Sequence, residues 1–159
     1  MTQNILCLTR GGSSSYPNQD WVISLAKERS AQLRFLYITN VHFLDLIAAP
    51  KVVNIEAELD EMGEFLMVMA QERAKNAGVQ AEATVRHGEF RQVLEQVISE
   101  FEVDTVIMGA SSENTGIVSH DYSKALTEDI SCETGVEFII LLEGEVFYTA
   151  RSGEQEEEE

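Results

Sequence analysis

The chain has 159 residues, with 28 acidic and 11 basic side chains and a formal net charge of −17. That length fits one domain able to bury a core without disulfides or a metal. The acidic balance argues against broad non-specific binding to nucleic acid, and no apolar stretch approaches a membrane span.

The start, Met1-Thr2-Gln3-Asn4, lacks the basic region and long apolar segment of a secretory signal, so a cytoplasmic chain is expected. Asn4 to Thr9 predicts a first strand around Ile5, Leu6, Cys7 and Leu8. A loop of Arg10, Gly11, Gly12, Ser13, Ser14 and Ser15 follows, and Pro17 suits the first turn of a helix. Trp21, Val22, Leu25 and Ala26 recur on one face of that helix to about Ser30. Leu33 to Ile38 predicts a second strand, ending at Thr39-Asn40. His42 to Pro50 has no clean period and reads as a loop or short helix over the site, stopped by Pro50.

Ile55, Leu59, Met62, Leu66, Met69 and Ala77 mark one stripe of a long helix, with Gly78 placed for a left-handed cap. On that spacing Met62, Met67 and Met69 read as core rather than as an adaptable binding surface. Gln80 to Arg86 alternates as a strand, and His87-Gly88-Glu89 makes a turn. Phe90, Val93, Leu94, Val97, Ile98 and Phe101 form the cleanest amphipathic helix of the chain. Val103 to Met108 predicts a fourth strand, apolar enough to be buried on both faces, which empties into Gly109-Ala110-Ser111-Ser112. A helix from about Ser119 to Cys132 turns Tyr122, Leu126 and Ile130 inward. Val136 to Leu142 predicts a fifth strand, and Val146-Phe147-Tyr148 a short added strand or a dimer contact.

Cys7, in an apolar run, and Cys132, in a predicted helix, form no metal-ligand pattern and read as packed thiols in a reducing compartment. Five of the negative charges lie in Glu154-Gln155-Glu156-Glu157-Glu158-Glu159, expected to be a disordered, solvated tail. A docking tail for a basic partner is its functional alternative. The domain is therefore expected over 1–145, with a C-terminal extension over 146–159.

Alternating strands and helices, short connections and right-handed crossovers imply a mostly parallel, doubly wound sheet with helices on both faces, and the expected form has five strands in the order 3-2-1-4-5. In such a sheet the loops after the first and fourth strands flank the switch point where ligands bind. Both loops are rich in Gly and Ser, whose backbone N–H groups approach an anion closely. Neither contains the Lys-Ser/Thr ending of a P-loop or a dinucleotide fingerprint, and ordinary strand-to-helix turns would look the same.

Here the chain resembles the universal stress protein family, from Ile5 to about Leu142. The residues that carry the likeness are Ile5-Leu6-Cys7-Leu8-Thr9-Arg10-Gly11-Gly12, Gly88-Glu89, and Val103-Asp104-Thr105-Val106-Ile107-Met108-Gly109, which looks like the family's "ADLIVMG" segment. Ala125-Leu126-Thr127-Glu128 resembles the start of the family's last helix, and Phe138 to Leu142 its dimer-forming strand. The resemblance implies a Rossmann-like fold of the adenine nucleotide alpha hydrolase-like kind and a homodimer through strand 136–142. In one branch it also implies ATP bound through G-x-x-G-x9-G-S/T.

Against that pattern Gly109 matches the first glycine, and Ser112 stands where the second should be. Counting spacers puts Tyr122-Ser123 at the closing Gly-Ser, whereas aligning on the helix puts Lys124-Ala125 there. Either way the last glycine is absent, and a side chain enters space the phosphates need. Arg10 replaces the family's usual Asp and reverses the charge beside the cleft. Arg10 reads either as a surface ion-pair residue or, with Gly11, Gly12 and Ser13, as part of an alternative anion site.

The candidate nucleotide- or anion-binding set is Thr9, Arg10, Gly11, Gly12, Ile38, Met108, Gly109, Ser112 and Ser123. The expectation is a non-enzymatic, cytoplasmic stress-response protein acting as a homodimer, with a possible protein partner, no nucleic-acid or membrane partner, no metal site and no cofactor. The alternative is a sensor that binds ATP or AMP, with or without Mg²⁺, through the loops after strands one and four. A slow nucleotide hydrolase assisted by His120 or Asp121 ranks behind both. The three histidines, His42, His87 and His120, are scattered, and a general base must reach its substrate.

Overall fold

A computed structural model describes residues 3–9, 15–39, 49–109 and 120–151. In chain order it contains β1 (Asn4–Leu8), α1 (Tyr16–Arg29), β2 (Gln32–Thr39), α2 (Ala49–Asn76) and β3 (Ala81–His87). There follow α3 (Phe90–Glu100), β4 (Thr105–Gly109), α4 (His120–Thr134), β5 (Glu137–Leu142) and β6 (Glu145–Ala150).

The strands form one six-stranded sheet of order β3-β2-β1-β4-β5-β6, parallel from β3 through β5. The predicted order 3-2-1-4-5 is therefore present, with one strand added. β6 pairs antiparallel with β5 through the turn at Glu143-Gly144, where both residues take positive φ. This corrects the expected count of five and the expected edge: strand 136–142 lies between β4 and β6, and the edge belongs to 145–150. Residues 146–150, read from the sequence as the start of an extension, thus continue the sheet, and Ala150 enters the core.

Side chains alternate across each strand, so each packed face collects every second residue. One face holds Ile5, Cys7, Leu33, Phe35 and Ile107 against Val22, Ile23 and Ala26 of α1 and Met67, Ala70 and Ala74 of α2. The other holds Leu6, Leu36, Val106 and Phe138 against Val93, Leu94 and Val97 of α3 and Ile130 of α4. A strand buried on both faces must be apolar throughout, which explains the unbroken run in β1.

Two local expectations hold, at Gly78 and Pro17, and Glu89 adds a helix cap that the sequence had not announced. Gly78 has φ of 86° and follows the last turn of α2. Glu89 caps α3 by accepting from the backbone N–H groups of Arg91 and Gln92 at 3.3 and 3.0 Å, which replaces partners missing at any helix start. Pro17 lies in the first turn of α1.

Others are corrected. Pro50 does not stop a segment but sits in the first turn of α2, where its missing N–H has no partner to lose. The buried stripe of α2 is Gly63, Met67, Ala70 and Ala74, not the one through Met62 and Met69, which are exposed. Gly63 lets the ring of Tyr37 lie on the helix, because a Cβ there would come within 2.8 Å of Tyr37 Cδ1. Cys7 is buried, whereas Cys132 is exposed rather than packed. Among the described residues, no helix is long and apolar enough to cross a membrane.

Candidate functional site

Because β1 lies between β2 and β4, the chain winds outward in opposite senses from the β1–β4 pair. The crevice at their carboxyl ends is the switch point of the sheet. Thr9 leaves β1 there, donating its backbone N–H to Leu36 O at 3.1 Å. Its hydroxyl accepts from Nε2 of Gln19 at 3.1 Å. Gln19 belongs to the inward stripe of α1 with Val22, Ile23 and Ala26, and it is only 1% exposed. Among the described residues its Oε1 has no hydrogen-bond partner, and neither has the hydroxyl of Thr39, which is 5% exposed at the end of β2. A buried polar group without a partner costs about 1–3 kcal/mol, so two such groups at one end of the sheet need a reason.

Gly109 ends β4 beside α1. A Cβ at Gly109 would come within 2.8 Å of Asn18 Nδ2, so the space above this glycine is already taken by the Asn18 amide. That amide is fixed from its other end, where Asn18 Oδ1 accepts the backbone N–H of Gly144 at 2.8 Å. Gly144, at φ of 83°, also lies against Pro17, whose carbonyl oxygen would be 3.3 Å from a Cβ there. The first turn of α1, the end of β4 and the β5–β6 turn therefore interlock.

Of the predicted set, Thr9 and Gly109 stand on the α1 side of the crevice. Ile38 and Met108 are half-buried on the opposite face, packed with Leu8 and Phe90 against the core beneath α3 and α4. Ser123 lies on α4, where the backbone alone is described. Arg10, Gly11, Gly12 and Ser112 lie outside the described residues. Gln19, Asn18 and Thr39 were not singled out by the sequence reading. A glutamine in register with Val22, Ile23 and Ala26 was the available signal, since a polar residue on an inward stripe is uncommon.

The Gly88-Glu89 pair serves architecture: Gly88, at φ of 140°, donates its N–H to Thr39 O at 3.1 Å before Glu89 caps α3. His87 Nδ1 lies 3.4 Å from Asp60 on the exposed rim of β3 and α2. Burial alone pushes the Cys7 thiol up to about 12, so it is neutral and unreactive at ordinary pH. Among the described residues no group of three His, Cys, Asp or Glu side chains is placed to hold a metal ion.

The same fold occurs in solved structures. A protein of the universal stress protein family from Burkholderia pseudomallei superposes with TM-score 0.65 at 17% identity, covering 88% of this chain and 94% of that one. The universal stress protein UspA from Lactobacillus plantarum gives TM-score 0.64 at 15% identity over 88% and 96% of the two chains. The universal stress protein from Archaeoglobus fulgidus in complex with dAMP gives TM-score 0.54 at 8% identity over 88% and 97%. At such identities these likenesses establish the fold alone. Among curated proteins none matches the chain by sequence. The family itself is decided by the sequence model of the universal stress protein family, which matches residues 1–120. With the topology and the strand-end glycine in agreement, the chain belongs to the universal stress protein family.

Proposed function

We propose that this chain is a non-enzymatic, cytoplasmic regulatory member of its family that acts through protein contacts as a homodimer and binds ATP weakly or not at all. The observation that carries the reading is the occupancy of the space above Gly109. The Asn18 amide stands there, and Asn18 is itself tied to Gly144. A phosphate approaching this glycine would have to displace a hydrogen-bonded side chain, and Ser112 supplies no second glycine in compensation. A dimer formed at this end of the sheet would use the 145–150 edge, since β5 is paired on both sides.

A second reading is favoured by the unpartnered Gln19 Oε1 and Thr39 hydroxyl, which suit a small polar ligand such as an adenylate without its full phosphate chain. The Archaeoglobus relative solved with dAMP supports that class of ligand. Calorimetric titration with ATP and AMP, with and without Mg²⁺, separates the two. The first reading expects no saturable heat with ATP up to millimolar concentration. Micromolar ATP binding would overturn it, and binding of AMP alone would install the second. Sedimentation at micromolar protein tests the dimer, and a clean monomer would refute it.

A further inference from the structure

Four of the five large apolar side chains exposed among the described residues lie within eight positions of α2: Met62 (51% exposed), Phe65 (64%), Val68 (54%) and Met69 (38%). Single exposed apolar residues are ordinary, but a contiguous group on one helix marks an interaction surface. The spacing is informative. Glu58, Met62, Phe65, Met69 and Glu72 follow one another by steps of four and three, the seam on which a second helix packs. Met and Phe supply a surface that adapts to a partner's side chains.

Charge identifies the occupant. The stretch from Glu58 to Glu72 contains five acidic residues and no Lys or Arg. Glu58 and Glu72 bound the apolar segment, about 21 Å apart along the axis at 1.5 Å per residue. Glu61 runs beside it and is exposed. A second copy fits poorly, because either orientation of two such seams sets glutamate against glutamate in a chain of net charge −17. The acidic residues 154–159 are repelled in the same way, as is an anionic membrane surface.

We infer that this face of α2 is a docking site for a cationic amphipathic helix, with apolar residues on Met62, Phe65 and Met69 and Lys or Arg near Glu58 and Glu72. The site uses α2 alone and goes beyond the nucleotide question. The test uses the full chain and a synthetic amphipathic peptide of leucine and lysine about four helical turns long. Controls are a scrambled peptide of the same composition and one with glutamate for lysine. Saturable binding is expected, weakening as salt rises and by about tenfold or more in Phe65→Glu/Met69→Glu. The glutamate peptide should not bind. Glu58→Gln/Glu72→Gln, which leaves the apolar residues intact, should weaken binding by about threefold or more and flatten the salt dependence. Circular dichroism and a thermal melt establish that both variants are folded. Absent binding, equal binding of the scrambled peptide, or unchanged affinity in the Phe65/Met69 variant would overturn the inference. So would a concentration-dependent dimer abolished by Phe65→Glu, which would assign the face to a second copy.

Discussion

The two ends of the sheet treat their polar groups in opposite ways. At the amino ends, Asp104 accepts the backbone N–H of Asn4 at 2.8 Å, and the Asn4 amide reaches Glu102 O at 3.1 Å. Glu137 lies between Arg29, at 3.6 Å, and Arg151 in an open depression lined also by Gln3 and Asp104. There the charges face one another, although the buried Glu137 Oε1 accepts no hydrogen bond and has only the Arg29 guanidinium nearby. At the carboxyl ends, Gln19 and Thr39 bury polar atoms that have no hydrogen-bond partner among the described residues, and Gly109 faces a clamped asparagine. At the amino end the one such oxygen, Glu137 Oε1, still has a guanidinium beside it. The other end carries unpaired hydrogen-bonding capacity, which stability alone does not explain.

Substitutions can break or sharpen this contrast. The largest effect belongs to the core that both ends share: Phe138→Ala removes a fully buried ring from the α3–α4 face and should cost about 3–5 kcal/mol in urea unfolding. Next is the clamp at the carboxyl end. Gly109→Ala forces the Asn18 amide aside and should cost about 1–2 kcal/mol, a loss much reduced in an Asn18→Ala background. Equal losses in both backgrounds would mean that Asn18 is not what fills the space. At the amino end, Asp104→Ala removes an acceptor and should cost about 1 kcal/mol. Thr39→Val is the mirror experiment: replacing an unpartnered hydroxyl by a methyl should be neutral or stabilising by up to about 1 kcal/mol. A clear loss there would show that the hydroxyl has a partner.

The smallest effect concerns the thiols. Cys132 should react with a disulfide reagent in the folded chain, and Cys7 only after unfolding. Burial raises the Cys7 thiol from 9.0 to about 12. Below pH 9 it is protonated in both states and contributes no pH dependence. Between pH 9 and 12 the unfolded chain alone releases the proton, so this group lowers stability as pH rises.

Much of this was legible in the residues. The parallel, doubly wound layout followed from alternation and crossover handedness, and Gly78 sits where capping chemistry demands. What escaped notice has physical causes. The buried face of α2 is built from Gly63, Ala70 and Ala74 because the helix lies close on the sheet, against Tyr37. Small residues carry little hydropathy, so the larger Met62 and Met69 drew the stripe onto the solvent side. β6 was ambiguous because a half-exposed edge strand gives a weak alternation, and its turn uses Glu143 in the left-handed region, which no local pattern announces. Asn18 lies against Gly109 and bonds Gly144, which is 126 residues away in the chain, contacts that no local spacing encodes.

On the proposed reading, the Asn18 amide beside Gly109 keeps a triphosphate from approaching this strand end. The Asn18 side-chain amide signal in heteronuclear NMR reports that position directly as MgATP is added to millimolar concentration. The account predicts a resonance that stays where it began. A saturable shift at micromolar MgATP, with loss of the Gly144 hydrogen bond, would contradict it.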